Sequence, residues 1–295
     1  MSTTPDSVFA AEPLHAPPLQ AEPNLSGSGS SADNPPWRIP GAVLTWLSSV
    51  AMLFIVPNVC VLPYLAYRYR HIAATKEVLV ADKTFVFLFV LGSLPAHLLT
   101  LAVIWAVATR LGKLSIKDVF GWSWGPTFGF WRSFTLAISM FMVTILLIGF
   151  FGGAKTDLDR ILESSRAAAV TLAIVAVVTA PLVEEMIYRG LLYTAFEQAI
   201  GQWGAVAVVA SMFAGLHVVQ YWPNAGAILS ITLLSVVLTL LRARTGRLLP
   251  CFVVHLVFNG VQSVIIILEP YIRAGLELWR HQPVNGAFNL LRFFN

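Results

Sequence analysis

The chain has 295 residues, of which 57% are hydrophobic and only 12% charged, with a mean hydropathy of +0.74 and a net charge of +4. Soluble domains spend about a quarter of their residues on charge, so these values exclude a water-soluble globular protein and point to a bilayer. The basic excess (pI near 9.2) forms no stripe or patch, which argues against nucleic acid as a partner and assigns those side chains to lipid headgroups.

Residues 1–37 hold seven of the 17 prolines, much Ser and Gly, and only acidic charges before Arg38. This composition predicts a disordered tail. A basic start followed by a short apolar core, the mark of a secretory signal, is not present, so insertion is expected to rely on the helices themselves. Apolar runs long enough for a ~30 Å hydrocarbon core, which takes about 20 residues, occur near 41–66, 84–108, 133–153, 168–196, 203–220, 225–241 and 248–268. The expected fold is therefore all-α, a polytopic transmembrane helix bundle of about seven to eight spans, with Pro57, Pro63, Pro95 and Pro181 kinking their helices. The first three spans and an interfacial segment occupy 38–166.

Between the second and third spans, "KDVFGWSWGPTFGFWRS" (Lys117 to Ser133) alternates aromatics with glycine and reads as an aromatic belt at the membrane surface. The last piece, 269–295, reads either as an interfacial helix or as a short eighth crossing. Basic residues are balanced between loops on opposite sides, which leaves the orientation open. Cys60 and Cys251 both lie in apolar runs, read as small core residues and give no disulfide framework.

Between Arg166 and Arg242 the only charged residues are Glu184, Glu185, Arg189 and Glu197. An ionisable group at mid-bilayer costs about 2.5–3.5 kcal/mol even on the lenient insertion scale, so three within six residues demand a reason. On a helix, Glu185 and Arg189 share a face in the favoured order for an ion pair. Glu184 is turned about 100° away, less well served by the arginine and suited to proton transfer. A buried salt-bridge network that fixes helix register is the competing explanation. His217 stands four residues after Phe213, and His255 four before Asn259; the latter spacing puts two donors on one helix face, where they can converge on one oxygen. His97 has no such partner and reads as structural, while Glu197 and Gln198 reach toward headgroups.

The ordered set "EEMIYR" (Glu184 to Arg189), "FAGLH" (Phe213 to His217) and "HLVFN" (His255 to Asn259), on successive apolar segments within about 167–268, resembles the CPBP family. That family groups type II CAAX prenyl endopeptidases with bacteriocin-processing and immunity membrane proteins. The resemblance implies an intramembrane endopeptidase with its catalytic cavity among the four helices that carry the motifs. Glu184 and His217 would activate the attacking water, and His255 and Asn259 would stabilise the oxyanion. Glu185, Arg189 and Phe213 match motif positions and are assigned to support. The implied substrate is a membrane-embedded or lipidated, CAAX-type protein or peptide, and the implied location is an integral multi-pass membrane protein, in the cell membrane if the host is bacterial. The family is described both as metalloproteases and as glutamate proteases. No HExxH helix is present, so no cofactor is favoured and zinc stays as the alternative. Two other classes compete: a non-catalytic membrane binding or immunity protein that uses the polar pocket for a partner, and a secondary transporter with an intramembrane proton relay.

Overall fold

On the first long helices many inward-facing side chains are small and large apolar ones face outward, as expected where lipid rather than water surrounds a bundle. The computed structural model describes residues 35, 37–152 and 155–281. In α1 (Ile39–Arg68) the buried positions are Ala42, Thr45, Ser49, Pro57 and Val61, one helical face, whereas Leu44, Phe54, Ile55 and Leu62 are exposed. The short α2 (Lys76–Ala81) leads to α3 (Lys83–Leu91) and α4 (Ser93–Ala108), which part at Gly92 just before Pro95. Asp82 caps α3 by accepting from the amides of Thr84 and Phe85, and its other oxygen accepts from the hydroxyls of Tyr64 and Tyr69. Burial alone would raise the Asp82 carboxyl, but these hydrogen bonds outweigh it and hold it below its usual value. The contribution is therefore present above the ordinary aspartate range and is lost as pH falls through the lowered value.

After α5 (Ile116–Phe120) the chain reverses at Gly121, whose φ of 61° favours glycine. Only part of the 117–133 stretch is an interfacial belt. Val119 and Phe120 are buried, and Trp122 packs on Phe252 with ring centroids 5.2 Å apart. Trp124, Phe130 and Trp131 stay exposed as an aromatic cluster. Arg242, also buried, donates to the carbonyls of Phe120 and Gly246, so it serves to pin this turn.

The third span, α6 (Phe130–Phe151), is followed by α7 (Asp157–Ser164), started by a reciprocal cap between Thr156 and Asp159. A single helical tract then runs from Arg166 to Tyr221, 56 residues, far longer than a ~30 Å crossing requires. It contains α8 (Arg166–Ile174), a wide-turn segment (Val175–Thr179), α9 (Ala180–Glu184), a second wide-turn segment (Glu185–Leu192) and α10 (Tyr193–Tyr221). The tract folds back at Gly201, whose φ of 76° and ψ of 169° belong to glycine. This return sets Phe213 against Tyr188, ring centroids 5.0 Å apart. The two limbs are the expected spans 168–196 and 203–220. With α11 (Ala225–Thr245) and α12 (Leu249–His281), the six long apolar helices among the described residues make seven crossings. Residues 269–281 simply extend α12, and the remainder of the C-terminal piece, like nearly all of the expected tail, lies outside the described residues. Cys251 is buried as expected, but Cys60 is exposed on α1.

Close approach of α11 to α6 depends on Gly226, where an added Cβ would lie 2.6 Å from the Ile148 Cα and from the Leu147 carbonyl oxygen. Both are backbone atoms and have little room to yield. Gly226→Ala is expected to lower stability by about 1–3 kcal/mol, measured as a fall in the thermal unfolding midpoint of the detergent-solubilised protein.

Candidate functional site

The helix that carries both glutamates is buried on every side, from Glu185 through Ala195, and so forms the centre of the bundle. Its two wide-turn segments leave carbonyls without their usual amides, and such segments concentrate at functional sites. In Val175–Thr179 the Ala180 amide bonds to the Val175 carbonyl, five residues back. Continuing that pattern would pair Ala176 with Pro181, which has no N–H. Asn259 of α12 fills the gap, its Nδ2 donating to the Ala176 carbonyl at 2.8 Å. Further along, the Leu191 carbonyl accepts from Trp37 Nε1 at 3.0 Å.

His255 stands between the two glutamates. Its Nδ1 lies 2.8 Å from Glu185 Oε1, and its Nε2 lies 3.7 Å from Glu184 Oε2. Glu185 is fully buried and its Oε1 also accepts from Arg189 Nη1 at 3.0 Å. The guanidinium continues to Ser235 of α11, donating from Nη2 to its carbonyl at 3.0 Å and to its hydroxyl at 3.2 Å, and lies over the Phe213 ring, 4.6 Å from the centroid. Among the described residues Glu185 Oε2 and Arg189 Nε have no partner. Glu185 thus does more than neutralise Arg189, because it also holds the His255 ring. Glu184 keeps about a quarter of its side chain accessible, 26%, and opens into a cavity.

His217 stacks on Phe213, ring centroids 4.4 Å apart. Its Nδ1 lies 2.8 Å from the Phe213 carbonyl oxygen. A carbonyl only accepts, so Nδ1 carries the proton and Nε2 of the neutral ring is left bare. Phe213 therefore supports both a cation and an imidazole, which accounts for the F-x-x-x-H spacing.

Glu184, His217, His255 and Asn259, drawn from α9, α10 and α12, all line one cavity of about 300 Å³. The lining also includes apolar Leu53, Pro57, Phe89 and Val90. A second cavity of about 310 Å³ adjoins it at Asn259 and is lined by hydroxyls and amides of Thr144, Asn224, Ser230, Gln262 and Ser263. His255 and Asn259, expected to converge as donors on one oxygen, also have protein partners: a carboxylate at each His255 nitrogen and the Ala176 carbonyl at Asn259. The sequence reading gave Ser235 and Thr179 no place in the site and took His97 as structural, whereas His97 lines the cavity with Ser93. Only the pair Ser93 and His97 carried a signal, since four residues apart they share a helix face.

Residues 166–261, about a third of the chain, match the family model described as Type II CAAX prenyl endopeptidase Rce1-like. The matched stretch contains all three motifs and is the kind of domain that their order resembles. No curated protein and no solved structure matches the chain. From Arg166 to Val261 this multi-pass integral membrane protein is thus similar to the type II CAAX prenyl endopeptidase Rce1-like family.

Proposed function

We propose that the protein is an intramembrane endopeptidase that hydrolyses a peptide bond of a membrane-associated or prenylated, CAAX-type protein or peptide. The observation that carries this reading is the convergence of Glu184, His217, His255 and Asn259 on one cavity. Peptide hydrolysis needs an activated water, donors for the carbonyl oxygen and a proton for the leaving amine. Glu184 is the base. It takes a proton from a water held between its carboxylate and the bare Nε2 of His217. The adjoining cavity, largely apolar, contributes the hydroxyls and amides of Thr144, Asn224, Ser230, Gln262 and Ser263 as partners for water inside the bilayer.

Oxyanion stabilisation falls to His255 and the second N–H of Asn259. Glu185 fixes the His255 ring through Nδ1, as an orienting carboxylate does for a catalytic imidazole. When His255 carries both ring protons, the cluster of Glu184, Glu185, Arg189 and His255 has no net charge, and Nε2–H is available to the substrate oxygen. A network kept only for stability would gain from satisfying every atom or from apolar replacement. The unpartnered Glu185 Oε2 and Arg189 Nε favour chemistry instead. This reading uses no metal; zinc, which takes about three protein ligands at a catalytic site, stays as the alternative cofactor.

In liposomes containing the purified protein, a farnesylated peptide ending in a CAAX sequence is expected to lose its residues beyond the prenylated cysteine, detected by mass spectrometry. Asn259→Ala should slow this by about 100- to 1,000-fold, the usual effect of removing one oxyanion donor. Equal rates for Asn259→Ala and the wild type would remove Asn259 from the mechanism.

A further inference from the structure

His97 belongs to none of the three motifs, yet it lies in the same cavity as the residues that do. It stands on α4, which packs against α9, the helix that ends at Glu184, and it is only 4% exposed. Its Nδ1 lies 2.7 Å from Thr179 Oγ1. That hydroxyl donates its own proton to the Val175 carbonyl, 3.3 Å away, so it accepts from Nδ1–H. The neutral ring then carries a bare Nε2, the nitrogen with no hydrogen-bond partner among the described residues. A histidine needed only for packing would have no reason to be anchored by one nitrogen and left open at the other in a cavity that a carboxylate also lines.

The other titratable groups around this cavity are Glu184 on α9, His217 and Tyr221 on α10, and His255 on α12. His255 has a carboxylate against each nitrogen. His217 is committed to the water, which leaves His97 as the one imidazole with no task in the steps above.

We propose that His97 is a further catalytic residue of this site, carrying the proton from Glu184 to the leaving amine. The inference rests on the endopeptidase reading. In the first step the water oxygen bonds to the carbonyl carbon, Glu184 takes the released proton, and the carbonyl electron pair moves to oxygen. The protonated Glu184 then gives its proton, through a water in the cavity that both line, to Nε2 of His97. On collapse the C=O bond reforms, the C–N bond breaks with its pair on nitrogen, and the imidazolium Nε2–H protonates that nitrogen. Both side chains return to their starting states, and the net change is one water consumed per peptide bond.

The test uses the full-length protein in liposomes with a farnesylated CAAX-terminal peptide bearing a fluorophore and a quencher on either side of the bond after the prenylated cysteine. His97→Gln, which keeps size and hydrogen bonding but cannot carry a proton, is expected to lower kcat about 100-fold, the lower end of general acid–base contributions. KM and the thermal midpoint should stay at wild-type values, and one inflection of the pH profile of kcat should vanish. Thr179→Val removes the anchor without touching the imidazole. It should lower kcat less and displace the same inflection, and it carries the test if His97→Gln fails to fold. Wild-type kcat and an unchanged pH profile in His97→Gln would overturn the proposal, as would a loss that only tracks the thermal midpoint. Failure of the wild type to cleave, or equal cleavage by Glu184→Gln, would instead overturn the endopeptidase reading and His97's role with it.

Discussion

Glu184→Gln should abolish cleavage, with kcat reduced at least about 100-fold and up to about 10,000-fold, the range lost with a general base, while the protein inserts and unfolds like the wild type. Glutamine preserves the shape and the cavity but has no lone pair basic enough to take a proton from water. Stability should hardly change, because Glu184 is the partly open member of the pair and its contact with His255 is long at 3.7 Å. His217→Ala should reduce kcat comparably, since the bare Nε2 that steadies the water is lost. Quenched-peptide turnover, read beside thermal unfolding, separates this outcome from misfolding. A Glu184→Gln protein that turns over its peptide at the wild-type rate would remove Glu184 from the chemistry.

Glu185 should behave in the opposite way. Removing its carboxylate in Glu185→Ala strands the fully buried Arg189 guanidinium and frees His255. Breaking a buried pair by deleting one partner costs about 3–5 kcal/mol, so thermal stability and activity should fall together; Arg189→Ala should do the same from the other side. The double variant Glu185→Leu, Arg189→Met separates the two functions. Apolar replacement of a buried pair is often neutral or stabilising, so the double variant should recover much of the lost stability. Its cleavage should stay low, because nothing then holds His255 Nδ1. A double variant that is both stable and fully active would reduce the pair to a packing device.

Seven apolar runs were legible because crossing a bilayer takes about 20 residues, and the run of Glu197, Gln198 and Gly201 marks the fold-back between the fourth and fifth. The four cavity residues were legible for a related reason: an ionisable or strongly polar side chain at membrane depth stands out against hydrocarbon. The ideal-helix argument went only part of the way. It separated Glu184 from Glu185 by about 100° and left Glu185 to Arg189 alone, whereas both glutamates approach opposite nitrogens of His255 in a tract where the helix widens. In the wide-turn segment before Pro181, the Ala176 carbonyl that this proline cannot serve accepts instead from Asn259 of another helix, a tertiary relation no local pattern encodes. Trp37 at the Leu191 carbonyl, Ser235 under Arg189 and Thr179 on His97 were invisible for the same reason.

The central claim is that a carboxylate at membrane depth activates water against a peptide bond. Its most direct test compares membranes from cells that express the wild-type protein with membranes from cells that express Glu184→Gln, using mass spectrometry of protein C-termini. The account predicts new C-termini in membrane-associated or lipidated proteins that appear with the wild type and are missing with the variant. Identical sets of C-termini at equal protein levels would contradict it.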